Sequence, residues 1–384
     1  MAPTLSNRIL EILSGIVSAP AALHEPVFAG REWEYVKDCL DTTMVSSVGA
    51  YVDRFEASLA EFTGVKRAIC VVNGTAALQV CLQLAGVSRD DEVLVPSLTF
   101  VATANAVRHA GGIPHFIESA RDTLGMCPAS LAAHLESTAK MQGGSAYNKH
   151  SGRRIAACVP MHTFGHPVDL DPLLEACARW SIPVVEDAAE SLGSYYQGRH
   201  TGSFGRLSAL SFNGNKIVTT GGGGAILTND ESLGALAKHL TTTAKLPHAW
   251  EFRHDQVGYN YRLPNLNAAV GCAQMEELPG FLDRKRALAE RYARAFAGVE
   301  GVRFVSEPSF GKSNYWLNTL VFDAKTAGER EATLRTANAK GWKVRPAWAL
   351  MTSLPMYADC PRMEMPVAEE LEACILNLPS GAAL

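Results

Sequence analysis

With 384 residues, 47% of them hydrophobic and 19% charged, the chain has the length for one large and one smaller domain and the composition of a globular enzyme. Its net charge of −4, without a dense lysine/arginine block, argues against a nucleic-acid partner. Nine cysteines occur without a CxxC pair or a Cys/His cluster at metal spacing. Cys70, Cys81, Cys158 and Cys177 fall in apolar runs, so free thiols in a reducing compartment are expected, with no disulfide and no metal.

At the start of the chain Leu5, Ile9, Ile12, Leu13 and Ile16 share one helical face. Glu11 interrupts the apolar run that an export signal would need, so an amphipathic helix is expected instead of a cleaved leader. No stretch approaches the roughly 20 apolar residues of a membrane span, and a cytoplasmic protein follows. From residue 68 to 230 short apolar runs alternate with amphipathic segments. Runs 68–72, 92–95, 113–117, 155–160, 183–186, 207–212 and 225–227 are predicted strands. Helices are predicted over 76–85, 99–109, 129–135 and 171–180. Apolar strands separated by helices indicate an α/β fold whose sheet is largely parallel and covered on both faces.

The polar, Gly-rich stretch 142–152 is expected to be an exposed excursion. Past Pro264 the pattern changes to a long helix over 282–296, strands over 302–305, 316–322 and 342–344, and a helix over 329–339. The expected division is a large domain with the N-terminal segment over 1–264 and a small α+β domain over 265–384.

In parallel sheets ligands sit beyond the carboxyl ends of the strands, where Asn73-Gly74-Thr75, Ser97 to Phe100, Met161-His162 and Asp187 all fall. Gly74-Thr75-Ala76 ends a strand and opens a helix, a turn whose free N–H groups suit an anion. Asp187 closes another strand; taken alone it suits a helix N-cap as well as a ring partner. Ser211 and Lys216 follow a third strand, ahead of four glycines, Gly221 to Gly224. An amine able to form a Schiff base, a carboxylate for a pyridinium nitrogen and donors for a phosphate together point to pyridoxal 5'-phosphate. Phe100, on the loop after the second strand, can lie against such a ring.

The order of these motifs resembles that of the DegT/DnrJ/EryC1/StrS sugar aminotransferases over nearly the whole chain. The resemblance implies a fold type I, aspartate aminotransferase-like large domain and a homodimer with shared active sites. It makes Lys216 the Schiff-base lysine and proton shuttle and Asp187 the ring-nitrogen partner. Ser211, Gly74, Thr75 and Ala76 become cofactor contacts, Phe100 the stacked aromatic, and Glu190 a group near the ring hydroxyl, where the family usually has Gln or His. Gly258-Tyr259-Asn260-Tyr261-Arg262 is similar to the family's GYNYR stretch, so Asn260 is expected to reach the phosphate in the neighbouring subunit.

Two further departures are Gly222, in place of a glutamate, and the 345–348 stretch, which lacks the family's histidine. The stretches 23–28 and 45–49 look like those of the branch forming UDP-4-amino-4,6-dideoxy-N-acetylglucosamine. That likeness implies a UDP-linked 4-ketosugar as acceptor and L-glutamate as donor. Ser46, Ser47, His162 and Arg345 are the expected sugar-nucleotide contacts. A 3-ketosugar aminotransferase and a non-catalytic cofactor-binding regulator are the alternatives.

Overall fold

In the computed structural model, which describes residues 4–384, seven strands form one sheet. They are β1 (Arg67–Val71), β2 (Glu92–Pro96), β3 (Ile113–Ile117), β4 (Ile155–Cys158), β5 (Val185–Asp187), β6 (Leu207–Ser211) and β7 (Gly224–Thr228). Their spatial order is β1-β7-β6-β5-β4-β2-β3, with β4 and β5 joined by Cys158 N–H to Pro183 O and Asp187 N–H to Pro160 O, both 2.9 Å. Every neighbour pair is parallel except those of β7, which runs antiparallel to both β1 and β6. The strands are buried on both faces, as their unbroken apolar runs require. Alternation sends Ile69 and Val71 into one core, with Val80 and Val93, and Ala68 and Cys70 into another, with Phe55 and Leu210.

The stretch expected to be an exposed excursion is largely exposed, at 142–144 and 149–152, and it is built on an ordered hairpin, Ala139–Gln142 against Ser145–Asn148. Gly143 and Gly144 make its turn at φ 58° and 80°, the left-handed region that a two-residue hairpin loop needs. At its end Asn148 Nδ2 (2.9 Å), and just beyond it Ser151 Oγ (2.5 Å), donate to the buried Glu92 carboxylate, so polar composition there serves an interior acid.

The long helix begins well before the expected position and spans Asn265–Phe296, with Pro279 inside it. Its buried row runs from Ala268 and Cys272 through Leu278 and Phe281 to Leu288 and Tyr292. Beyond it Val302–Phe304, Asn318–Phe322, Ile375–Leu378 and Arg345–Pro346 form an antiparallel sheet in that spatial order. The strand expected over 342–344 starts three residues later, at Arg345–Pro346, because Trp342 is used elsewhere. Its indole N–H donates to Val17 O (2.9 Å), and the residue bridges to Ala21. The helix Leu5–Ile16 buries Ile9, Leu10 and Leu13 in the same core and is tied to the helix Ala327–Ala339 by Ser6 N–H to Glu329 (2.9 Å). No helix among the described residues is long and apolar enough to cross a membrane.

Candidate active site

A cavity of about 360 Å³ opens at the carboxyl ends of the sheet strands. Asn73, Gly74 and Thr75 enter it after β1, Phe100 and Thr103 after β2, Met161 after β4, Asp187 and Glu190 from β5, and Ser211 and Lys216 from β6. Trp316 and Trp348 wall it from the C-terminal elements. Residues far apart in the chain converge because each parallel strand delivers its last residue to the same rim.

The helix Gly74–Leu84 starts on this rim. Asn73 caps it by accepting from Ala76 N–H at 2.8 Å, and helix geometry leaves the N–H groups of Gly74 and Thr75 without intrahelical partners. The backbones pack closely here. A Cβ on Gly224 would lie 2.5 Å from Asn73 C, and one on Gly74 would lie 2.9 Å from Ser211 Cβ. Both glycines are therefore demanded by contact, and they bring the turn, β7 and Ser211 together as one anion-sized cradle.

Asp187 Oδ2 accepts from Thr103 Oγ1 at 2.7 Å and Oδ1 from Ala189 N–H at 3.2 Å. Burial still raises its proton affinity above that of an ordinary aspartate, against those bonds and the positive charge of Lys216. A cation facing it would return it to the ionised form. Lys216 Nζ lies 3.2 Å from Glu190 Oε1 and 4.0 Å from the centroid of the Trp316 ring. Glu190 Oε2 accepts from Phe164 N–H at 2.9 Å. Burial pushes the Glu190 carboxyl up to about 7, with Lys216 opposing. Trp316 is fixed in turn, its Nε1–H donating to Asn215 O (2.8 Å) and its carbonyl accepting from the buried Lys285 amine (3.2 Å).

These residues fit pyridoxal phosphate. The cradle suits its phosphate, the buried Asp187 carboxylate a pyridinium nitrogen, and the Lys216 amine its aldehyde, with Phe100, 49% exposed, at the mouth. Gly74, Thr75, Phe100, Asp187, Glu190, Ser211 and Lys216 are thus brought together. At Gly222 nothing lies within 4 Å of a Cβ, so loss of the family's glutamate leaves the turn unstrained.

The other expected site residues lie elsewhere. Ala76 is buried behind the turn, and its N–H is spent on Asn73. His162, expected to face the sugar, points away from the cavity. Its Nε2 bonds Glu186 Oε2 (3.1 Å) and its Nδ1 accepts from Val168 N–H (3.2 Å), because alternation along the strand gives the cavity to Met161. Arg345 is exposed and donates to Asn338 Oδ1 (3.1 Å) and Val344 O (3.0 Å). Ser46 and Ser47 are outside the cavity, near the start of the long helix, whose Asn265 N–H donates to Ser46 O (2.6 Å). Asn260 accepts from Arg262 NH2 (3.0 Å) and does not line the cavity of its own chain. Sequence reasoning missed Thr103, Trp316 and Trp348. Among the described residues no group of three His, Cys, Asp or Glu side chains could hold a metal ion.

Comparison with known proteins places residues 27–384 on the model of the DegT/DnrJ/EryC1/StrS aminotransferase family. GDP-perosamine synthase of Escherichia coli O157:H7 is 35% identical over 94% of this chain and 93% of its own length. EpsN of Bacillus subtilis, by name a candidate pyridoxal phosphate-dependent aminotransferase, is 37% identical over 87% of this chain and 83% of its own. The crystal structure of the aminotransferase TlmJ from Streptoalloteichus hindustanus superposes with a TM-score of 0.85 at 28% identity, covering 95% of each chain.

Proposed function

Because the chain belongs to the DegT/DnrJ/EryC1/StrS aminotransferase family, and is with it a pyridoxal phosphate-dependent sugar aminotransferase, we propose that it moves the amino group of L-glutamate to the C4 ketone of a nucleotide-linked 6-deoxyhexose. The observation that carries this reading is the Lys216 amine sharing one cavity with the buried Asp187 carboxylate and the Gly74–Thr75 turn. When bound, the cofactor supplies an electron sink for the carbon that loses its proton.

The protein's own groups do the rest. Gly74, Thr75 and Ser211 would hold the phosphate, and Asp187, aligned by Thr103, would keep the ring nitrogen protonated. Phe100 and Trp348 cover the site against water. Lys216 Nζ would anchor the cofactor through its aldehyde, and the free amine would take the α-proton of the donor and deliver a proton to C4 of the sugar. Two nucleotides are favoured by different observations. The 23–28 and 45–49 stretches favour a UDP-linked 2-acetamido sugar, and the name of the Escherichia coli relative favours a GDP-linked one. We further propose a cytoplasmic homodimer in which Asn260, Ser46 and Ser47 serve the partner's site, since none of them lines its own cavity.

Purified protein incubated with glutamate and a panel of UDP-, GDP- and dTDP-linked ketosugars should aminate one of them, with product NMR placing the nitrogen at C4. Lys216→Ala should abolish both half-reactions. Near-wild-type turnover in that variant, or nitrogen at C3, would overturn the mechanism or the regiochemistry respectively.

A further inference from the structure

Trp316 is held at every polar atom it has. Its indole N–H donates to Asn215 O (2.8 Å), its backbone N–H donates to Asn314 Oδ1 (2.8 Å), and its carbonyl accepts from the buried Lys285 amine (3.2 Å). The two anchors are fixed in turn, Asn314 Nδ2 donating to Glu190 O and Leu192 O (both 2.9 Å) and Lys285 Nζ to Ser380 O. Trp316 is 5% exposed, yet its ring walls the cavity. Among the described residues it is the one aromatic ring with the Lys216 amine over its face, Nζ lying 4.0 Å from the centroid. Asn215 directly precedes Lys216, so the indole bond ties ring and amine together. That bond also spends the side chain's only polar atom, and the ring shows the cavity nothing but carbon. A second neighbour of Nζ is polar, Glu190 Oε1 at 3.2 Å.

A sugar carbon that takes a proton from Nζ must come within about 3–3.5 Å of it. C4 of a hexose is flanked by C3, which carries a hydroxyl, and by C5, which carries C6. C6 is therefore two bonds from the reacting carbon and comes to rest on what borders the amine. Resting on the aminotransferase reading above, we propose that Trp316 is the residue that selects a 6-deoxy sugar, its ring face receiving the C6 methyl. Glu190 does not suit that seat, since a methyl offers a buried carboxyl no hydrogen bond. The ring face in turn penalises a C6 hydroxyl, which loses water and finds no partner there. Pinned at three points, the ring cannot swing aside to admit one. Phe100 and Trp348 also wall the cavity, but they pack on each other with centroids 6.2 Å apart, and neither has the amine over its ring.

The test compares kcat/KM for three acceptors on the nucleotide that the panel above selects. They are the 4-keto-6-deoxyhexose, the 4-ketohexose that keeps its C6 hydroxyl, and the 4-ketopentose that lacks C6. Ratios are read, so any general loss of turnover in a variant cancels. Wild type should favour the 6-deoxy sugar by about 100-fold over the hydroxylated one and about tenfold or more over the pentose. Trp316→Phe, which keeps a flat carbon face, should retain most of both preferences. Trp316→Gln, which supplies a donor and an acceptor, should lose about tenfold or more of each. Independently of turnover, holoenzyme labelled with 5-fluorotryptophan reports on binding through the fluorine resonance that Trp316→Phe lacks. That resonance should move further on binding the 4-amino-6-deoxy product than on binding the 4-aminopentose. Equal kcat/KM for the three acceptors in wild type overturns the proposal, as does a Trp316→Gln enzyme with the wild-type ratios or a Trp316 resonance that does not distinguish the two products. If no ketosugar in the panel is aminated at all, the aminotransferase reading fails first, so the two failures are distinguishable.

Discussion

Thr103 Oγ1 stands 2.7 Å from Asp187 Oδ2 and 2.8 Å from Thr99 Oγ1, so a fully buried hydroxyl pair orients the carboxylate. Thr103→Val keeps the shape and removes the donor. A lost hydrogen bond to a charged acceptor costs about 1.5–3 kcal/mol, which is roughly tenfold to a hundredfold in cofactor affinity. Because burial already raises the proton affinity of Asp187, removing a bond that lowers it raises it further. Cofactor affinity, which needs the ionised acid, should then fail at a higher pH in the variant as pH is lowered. Fluorescence titration with pyridoxal phosphate across pH checks both points. Asp187 and Ser211 were legible in the sequence because each closes a largely apolar run, and Lys216 because it lies five residues past Ser211 and shortly before four glycines. Thr103 was not, since a threonine inside a helical pattern carries no sign of what it faces. Trp316 was hidden as the apparent first residue of a strand. His162 misled for the opposite reason: a strand end offers alternate residues to opposite faces, and the pattern does not say which.

At the scale of elements, β7 shows what apolar patterning leaves open. Its run of buried residues announces a strand but not a direction, and only the return of the chain after the glycine turn makes it antiparallel. The other six strands and the helices between them were legible because two-faced burial forces continuous hydrophobic runs. The first half of the long helix was obscured by Pro279 and by interior-facing polar residues such as Asn265 and Gln274. Where β7 begins, Gly224 admits no side chain. Gly224→Ala should cost about 1–3 kcal/mol through overpacking against Asn73 and Gly74, read as a lower urea midpoint. The folded fraction should also bind cofactor more weakly, because the displaced backbone is the anion cradle.

Over the whole molecule, large apolar side chains remain open to solvent: Trp33, Val48, Trp250, Phe252 and Val257 are each at least 70% exposed. Side chains of this kind are what the proposed homodimer would cover if they lie at its interface. If the proposed homodimer shares its sites, Lys216→Ala and Asn260→Ala chains are each inactive alone. Co-refolded in equal amounts, they should recover about a quarter of wild-type activity, since half the dimers then hold one intact site of two. Activity no greater than the sum of the parents would place Asn260 outside the partner's site.

The amide of Ser6 and the carboxylate of Glu329 are 323 positions apart yet hydrogen-bonded, and the indole of Trp342 closes on Val17 across a similar span. Leu5–Ile16 leaves the ribosome well before the surface it covers, whose residues Glu329 and Trp342 follow more than 300 positions later. During synthesis its apolar stripe must wait, uncovered, for most of the polypeptide to follow, which makes this segment a natural client for chaperones.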